Sequence, residues 1–213
     1  MTALLTKKRL EEGTAYLASR DSDLARIFAV DGVPPLWARK PSFSTLIHII
    51  LEQQVSLASA MAMYRRLLDK LVPFTPENFV KAGSSHLRSL GVTRQKAAYC
   101  IHVASAILEN RLDLKALSKM DDPAVLDTLM QIKGIGPWTA SIYLLMALRR
   151  PDVWPPGDIA MMNTLRKVKS LETSPSPSTL SAVTEVWRPF RSVAARMLWH
   201  HYLSEKVRRG SIS

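Results

Sequence analysis

Apolar residues recur at three- and four-residue spacing along most of the chain, the period of a helix with one buried face. The pattern is clearest in Leu46-Ile49-Ile50, Leu57-Met61-Tyr64-Leu68, Ala97-Ile101-Ala104-Leu108 and Ile142-Leu145-Met146. No stretch alternates long enough to argue for a sheet. Helices begin near Thr6. Thr75-Pro76 and Asp122-Pro123 each place a capping side chain before a first-turn proline, and Thr93 caps a helix starting near Arg94. Gly83, Gly91, Pro151 and Pro155-Pro156-Gly157 read as stops. Ser174-Pro175-Ser176-Pro177-Ser178 reads as a loop whose end caps the helix through Val183 and Val186. The pattern predicts about a dozen short helices in an all-α bundle.

One segment departs from plain amphipathic helix. Leu129-Met130-Gln131-Ile132-Lys133-Gly134-Ile135-Gly136-Pro137-Trp138-Thr139-Ala140 is an apolar helix end, a Gly-x-Gly turn and a second apolar helix. Gly134 and Gly136 lack Cβ, so the backbone can take positive φ and approach a ligand closely. The helix after Gly136 aims unpaired N–H groups and its positive dipole end out of the turn, which suits a phosphate. Gly134, Gly136 and Thr139 are the expected N–H donors; a packed turn with no ligand is the plain alternative. Further on, Pro155-Pro156-Gly157-Asp158 delivers one carboxylate after a stop. A phosphate grip and a lone carboxylate on adjacent elements suggest chemistry on a nucleic acid. Asp158 also reads as an ordinary N-cap, and the two roles are compatible.

Composition narrows the partner. Lys and Arg number 29 against 18 Asp and Glu, a net charge of +11, which fits a polyanion. Arg149-Arg150, Arg166-Lys167-Lys169, Arg188, Arg191, Arg196 and Lys206-Val207-Arg208-Arg209 crowd the C-terminal half, where they are expected to flank the hairpin. With 213 residues, 47% of them hydrophobic, one domain or two closely packed subdomains is expected. The N-terminal stretch carries Lys7, Lys8, Glu11 and Glu12 with no apolar secretory core, and no apolar run spans a bilayer. No membrane partner is expected. The single Cys100 excludes an internal disulfide and a four-cysteine iron–sulfur cluster, and points to a reducing cytoplasm. His48, His86, His102, His200 and His201 lack zinc-ligand spacing.

The run from Leu129 to Asp158 resembles the helix-hairpin-helix glycosylases of base-excision repair, and within them the 3-methyladenine DNA glycosylase II branch. Ile50-Leu51-Glu52-Gln53-Gln54-Val55-Ser56, Leu90-Gly91-Val92-Thr93-Arg94-Gln95-Lys96-Ala97 and Trp187-Arg188-Pro189-Phe190-Arg191-Ser192-Val193-Ala194-Ala195 extend the resemblance in the family's order. It implies an all-α fold of two helical subdomains with a cleft between them, in a single domain over 1–213. The hairpin would occupy about 123–147 and the Gly/Pro-rich catalytic loop about 151–160. The chain would be a compact form without an N-terminal mixed α/β domain.

The resemblance also implies a monofunctional DNA glycosylase. It would hydrolyse the N-glycosidic bond of alkylated purines, 3-methyladenine and 7-methylguanine, flipped out of duplex DNA. Asp158 would be catalytic: a fixed negative charge stabilises an oxocarbenium-like transition state and can orient or deprotonate water. Trp138 stands where bifunctional relatives carry a Schiff-base lysine, and Lys133 lies before the turn, so no strand cleavage is expected. Trp138 and Trp199 would line the base pocket, although each also fits as a core aromatic. Ile142 and Ile159 replace family tyrosines there, which makes the pocket less aromatic and less polar. Gln53 and Gln54 stand where the family inserts a wedge, Gln54 first; a solvated pair is the alternative. Arg191 and Ser192 would hold structure or touch phosphate. Backbone carbonyls of Met130, Ile132 and Ile135 would face a weakly held monovalent cation, sodium or potassium, with no other cofactor. The partner would be double-stranded DNA containing alkylated bases, bound by a monomer in a bacterial cytoplasm or a nucleus. A non-catalytic helix-hairpin-helix module and a glycosylase of other base specificity remain as readings.

Overall fold

The structure, a computed structural model, describes residues 4–210. Those residues form α1 (Lys7–Arg20), α2 (Ser22–Asp31), α3 (Phe43–Glu52), α4 (Leu57–Lys70), α5 (Pro76–Ser89), α6 (Arg94–Leu108), α7 (Asp122–Met130), α8 (Pro137–Ile142), α9 (Ile159–Val168), α10 (Pro177–Glu185) and α11 (Arg191–Arg208). A 3-10 turn (Ala116–Lys119) precedes α7 and a π-helical turn (Tyr143–Ala147) follows α8. No strand occurs among the described residues, as the periodicity predicts.

Side-chain caps set most helix starts. Thr6, Ser42, Ser56, Thr75, Thr93 and Ser176 each accept an N–H of the first turn. The cap of α7 is Asp121, one residue before the expected Asp122. Asp121 has an extended backbone and its carboxylate accepts from Ala124 N at 2.9 Å, while Asp122 is already helical. Gly83, at φ 69° and ψ 168°, breaks the helical backbone within α5 as the stop expected there; a second helical segment follows and is capped at Leu90.

The chain forms two compact units. The first, Arg39–Leu148, holds α3 to α8. At its centre Leu46, Ile47, Ile49, Ile50 and Leu51 of α3 are all 0% exposed. Isoleucine is a mediocre helix former, at a cost below about 0.7 kcal/mol per residue. Full burial of each such side chain contributes about 1.5–3 kcal/mol, so packing decides. α3 packs on α4, α6 and α8, and α6 packs on α5. Phe79 meets Phe43 and Phe74 edge-on, at ring separations of 5.0 and 4.8 Å.

The second unit joins the chain up to Ala38 with the chain from Arg149 onward. Residues Ser192–Trp199 of α11 are buried on every side, and α1, α2 and α9 pack against that helix. Asp21 ties the unit together. Its carboxylate caps α2 by accepting from Asp23 N at 3.0 Å and Leu24 N at 3.3 Å. It also accepts from Lys169 Nζ at 2.7 and 2.8 Å and from Trp187 Nε1 at 2.8 Å. Burial pushes the Asp21 carboxyl up, but the bonds from Lys169, Trp187 and Leu24 together outweigh it and hold its pKa below the ordinary value.

A carboxyl whose pKa is depressed on folding stabilises fully above its unfolded value, and that stability is lost as pH falls through the folded value. Asp21→Asn should therefore lower the unfolding free energy by about 3 kcal/mol at neutral pH. It should also flatten the loss of stability below about pH 4. Urea unfolding at a series of pH values reads both effects; an unchanged acid limb would show that this carboxylate does not carry it.

Candidate active site

The hairpin turn in the first unit is held shut by its own backbone. Ile132 N donates to Leu129 O and Ile135 N to Ile132 O, each at 3.0 Å, and both isoleucines are buried. Between them Gly134 sits at φ 103°, in the region that favours glycine. A Cβ there would lie 2.3 Å from Cγ of Tyr99, so the Tyr99 ring of α6 lies directly against the turn. Gly134 O accepts from Gln53 Nε2 at 2.9 Å, and the same amide donates to Thr139 Oγ1 at 2.9 Å. One side chain at the end of α3 thus spans the hairpin from its turn to its second helix. Lys96 braces that end of α3 from α6: its buried Nζ donates to Leu51 O at 2.6 Å. Burial draws the Lys96 pKa down, although the helix-end carbonyl is a favourable place for a cation.

Gly136 differs from Gly134. Its φ of −94° suits any residue, and beyond the adjoining chain no atom lies within 4 Å of where a Cβ would stand. It caps α8 without a side-chain acceptor. The positive φ anticipated for both glycines therefore occurs at Gly134 alone, and at Gly136 the protein leaves open space. Thr139 is buried with its hydroxyl engaged by Gln53, so what it offers outward is backbone. Trp138 is half-buried at the start of α8, and Lys133 is exposed before the turn. Ile142, expected in the base pocket, is 2% exposed and presents almost no surface to a ligand, because α8 packs that face inward.

Gln53 and Gln54 take different parts. Gln53 is the clamp just described, and its amide is bonded to the hairpin, which corrects its assignment as a wedge. Gln54 is exposed and held at φ 54° at the α3–α4 turn. Among the proposed cation-facing carbonyls, Ile132 O closes the turn with Ile135 N–H, which leaves it one lone pair; Met130 is exposed and Ile135 buried. No cluster of His, Cys, Asp or Glu among the described residues could hold a metal ion.

In the second unit Asp158 is the N-cap of α9. Its Oδ1 accepts from Met161 N at 2.9 Å, and the residue is half-buried. The loop leading to it is clipped to the start of α11. Ser192 N donates to Pro151 O at 3.0 Å, and buried Ser192 Oγ accepts from Val153 N at 2.9 Å and donates to Val153 O at 3.1 Å. Arg191 Nε donates to Asp152 Oδ1 at 2.9 Å and its Nη2 to Asp152 Oδ2 at 3.0 Å; Arg188 donates to the same carboxylate at 3.0 Å. Arg191 and Ser192 hold structure, one of the two roles the sequence left open for them. Arg196 is fully buried, donates to Leu36 O and Ser192 O at 2.9 Å, and is pushed down to about 9 by burial. Arg191 and Arg196 thus serve the unit internally and do not form the outward basic flank expected from the sequence, whereas Arg188 pairs with Asp152 but stays exposed. Ile159 is 73% exposed beside Asp158. Trp199 is 9% exposed, with Trp37 edge-on at 6.5 Å. The sequence reading missed Lys96, Asp152 and Trp37. Lys96 left a trace, a charge one turn from Cys100 on an otherwise apolar face; the other two lie in irregular segments that carry no periodicity.

The two glycines should separate in experiment. Gly134→Ala should lower stability by about 3 kcal/mol through backbone strain and the Tyr99 clash, while Gly136→Ala leaves the urea midpoint unchanged. Equal midpoints for both variants would contradict the packing described for the turn. Gln53→Ala should cost about 1–3 kcal/mol, because Gly134 O and Thr139 Oγ1 lose their shared donor; a neutral result in the same unfolding assay would remove the clamp.

Known proteins resemble this chain in sequence and fold. A DNA-3-methyladenine glycosylase of Bacillus subtilis is 26% identical over 182 residues, 80% of this chain and 58% of that protein, so the chain spans little more than half its length. The crystal structure of a Bacillus halodurans DNA-3-methyladenine glycosidase is 28% identical with a TM-score of 0.75, covering 96% of this chain and 95% of that one. The Schizosaccharomyces pombe 3-methyladenine DNA glycosylase in complex with abasic DNA shares the fold, at a TM-score of 0.80 and 24% identity over 92% of this chain and 97% of that one. The model of the HhH-GPD superfamily of base excision DNA repair proteins matches residues 47–189, which contain the hairpin, the clamp and Asp158, and the chain belongs to that superfamily.

Proposed function

We propose that the protein is a monofunctional DNA glycosylase that hydrolyses the N-glycosidic bond of alkylated purines, 3-methyladenine first and 7-methylguanine next. The observation that carries this reading is the placement of Asp158: a carboxylate fixed by Met161 N–H at a helix start, behind a loop clipped at Asp152, Val153 and Ser192. A charge held in place needs no reorganisation as a sugar cation develops beside it, which makes it effective in the transition state. The same carboxylate can orient or deprotonate the attacking water. An alkylated purine is cationic and leaves readily, so no separate general acid is required.

DNA phosphate would meet the backbone N–H groups of Gly134, Gly136 and Thr139, with the open space at Gly136 giving the closest approach. Carbonyls of Met130, Ile132 and Ile135 are neutral oxygen donors, suited to a weakly held monovalent cation. The exposed Gln54 is the wedge that fills the gap left by a flipped base. Trp199 supplies an aromatic face for the cationic base, worth about 0.5–2 kcal/mol. Trp138 offers no amine at the start of α8, so the product is an abasic site in an intact strand. The protein would act as a monomer on duplex DNA, in a bacterial cytoplasm or a nucleus.

Asp158→Asn should lower release of 3-methyladenine from methylated duplex about 100-fold or more, with the dissociation constant for DNA nearly unchanged. Retention of more than about a tenth of the rate, a loss under about 1.4 kcal/mol, would show that another group carries the chemistry. Wild-type protein should leave alkali-labile but unnicked sites; trapping of a protein–DNA adduct by borohydride would refute the monofunctional assignment.

A further inference from the structure

At the corner between α5 and α6 of the first unit, Ser85, Arg88, Ser89, Gly91, Thr93 and Arg94 line an open depression of about 580 Å³. Arg66 of α4 reaches the same corner. Its Nε donates to Leu90 O at 2.9 Å, and its Nη2 lies 2.7 Å from where a Cβ on Gly91 would stand. Gly91, at φ 88°, therefore does two things: it makes the turn, and it leaves the space that the Arg66 guanidinium fills. The bond to Leu90 O fixes the plane of that guanidinium on the rim.

Three guanidinium groups, from Arg66, Arg88 and Arg94, gather here and no carboxylate lines the depression. None of the three takes part in an ion pair among the described residues, whereas Arg39, Arg111, Arg188, Arg191 and Arg208 all do. Like charges gathered without a counter-charge repel one another, so such a cluster gains most from an anion of matching geometry. Planar guanidinium forks match the oxygens of a phosphate, and the Ser85 hydroxyl adds a donor, while that of Ser89 is already given to His86 O.

We propose that this depression is a second phosphate-binding site, separate from the hairpin and independent of any role for Asp158. Its ligand is a phosphate group, from a DNA backbone or free in solution, and the DNA backbone is the source we expect.

The test uses the full chain with Arg66→Ala/Arg88→Ala/Arg94→Ala combined, and with Arg88→Gln/Arg94→Gln as a second variant that leaves the Arg66 bond to Leu90 intact. Binding to undamaged duplex is measured between about 50 and 200 mM salt, with no turnover required. A backbone contact predicts that both variants bind more weakly and that the log–log salt slope becomes shallower by about 0.9 for each phosphate lost. It also predicts the same weakening on methylated and unmethylated duplex, because phosphate contacts do not read the base. In parallel, inorganic phosphate is titrated against the melting temperature of each protein. A phosphate-dependent rise lost in the variants, with the DNA slope unchanged, would support the site and assign it to free phosphate. Variants that match the wild type in melting temperature without phosphate, in salt slope and in phosphate response would overturn the proposal. Loss of base release in the wild type would refute the glycosylase reading and leave this result standing.

Discussion

The first unit depends on there being no side chain at position 134. Gly134 turns the hairpin at φ 103°, its Cα faces the Tyr99 ring, and its carbonyl accepts the Gln53 amide. Three helices are fixed by that one residue: α6 through the ring, α3 through Gln53, and α8 through the second bond of the same amide to Thr139. A larger residue would have to displace an aromatic ring and adopt a disfavoured backbone at once. The neighbouring Gly136 carries no such internal constraint, and its open surroundings are what a close ligand approach requires. A single Gly-x-Gly motif thus divides into one glycine required by packing and one with open surroundings.

The second unit solves a different problem, that of holding a carboxylate still. Asp158 sits on a loop rich in proline, and such a loop does not order itself by helix formation. The order comes from outside. Ser192 brackets Val153 with two hydrogen bonds, Arg188 and Arg191 grip Asp152, and the α9 cap takes one oxygen of Asp158. The cost of fixing one loop backbone residue, about 1–2 kcal/mol, is of the same size as one charged hydrogen bond, so several are needed. This accounts for the pairing of Arg188 and Arg191 with Asp152. Net charge stated how many basic residues the chain has, and could not say which were already committed.

Much of the fold was legible because helix periodicity and caps are local. Thr6, Thr75 and Thr93 start helices where the sequence places them; the cap at Ser176, inside the expected loop 174–178, and the shift from Asp122 to Asp121 are displacements of one or two residues, usual at helix ends. The hairpin and its helix start were legible for the same reason. Long-range polar contacts were not. Gln53 reads as a wedge or a solvated amide until the hairpin is folded beside it, and nothing local marks Asp21, whose partners Lys169 and Trp187 arrive from far along the chain. Ile142 looked like a pocket residue by register, but inward packing of α8 removed it from the surface.

The central claim is that this chain, unaided, breaks the bond between an alkylated purine and its sugar. Incubation of the purified protein with methylated duplex DNA, followed by chromatography of the released bases, tests it most directly. The account predicts free 3-methyladenine together with an equal amount of abasic sites in unbroken strands. Tight binding to the same duplex with no free base above the spontaneous rate would contradict it, and would leave a helix-hairpin-helix protein that holds DNA without cutting the base away.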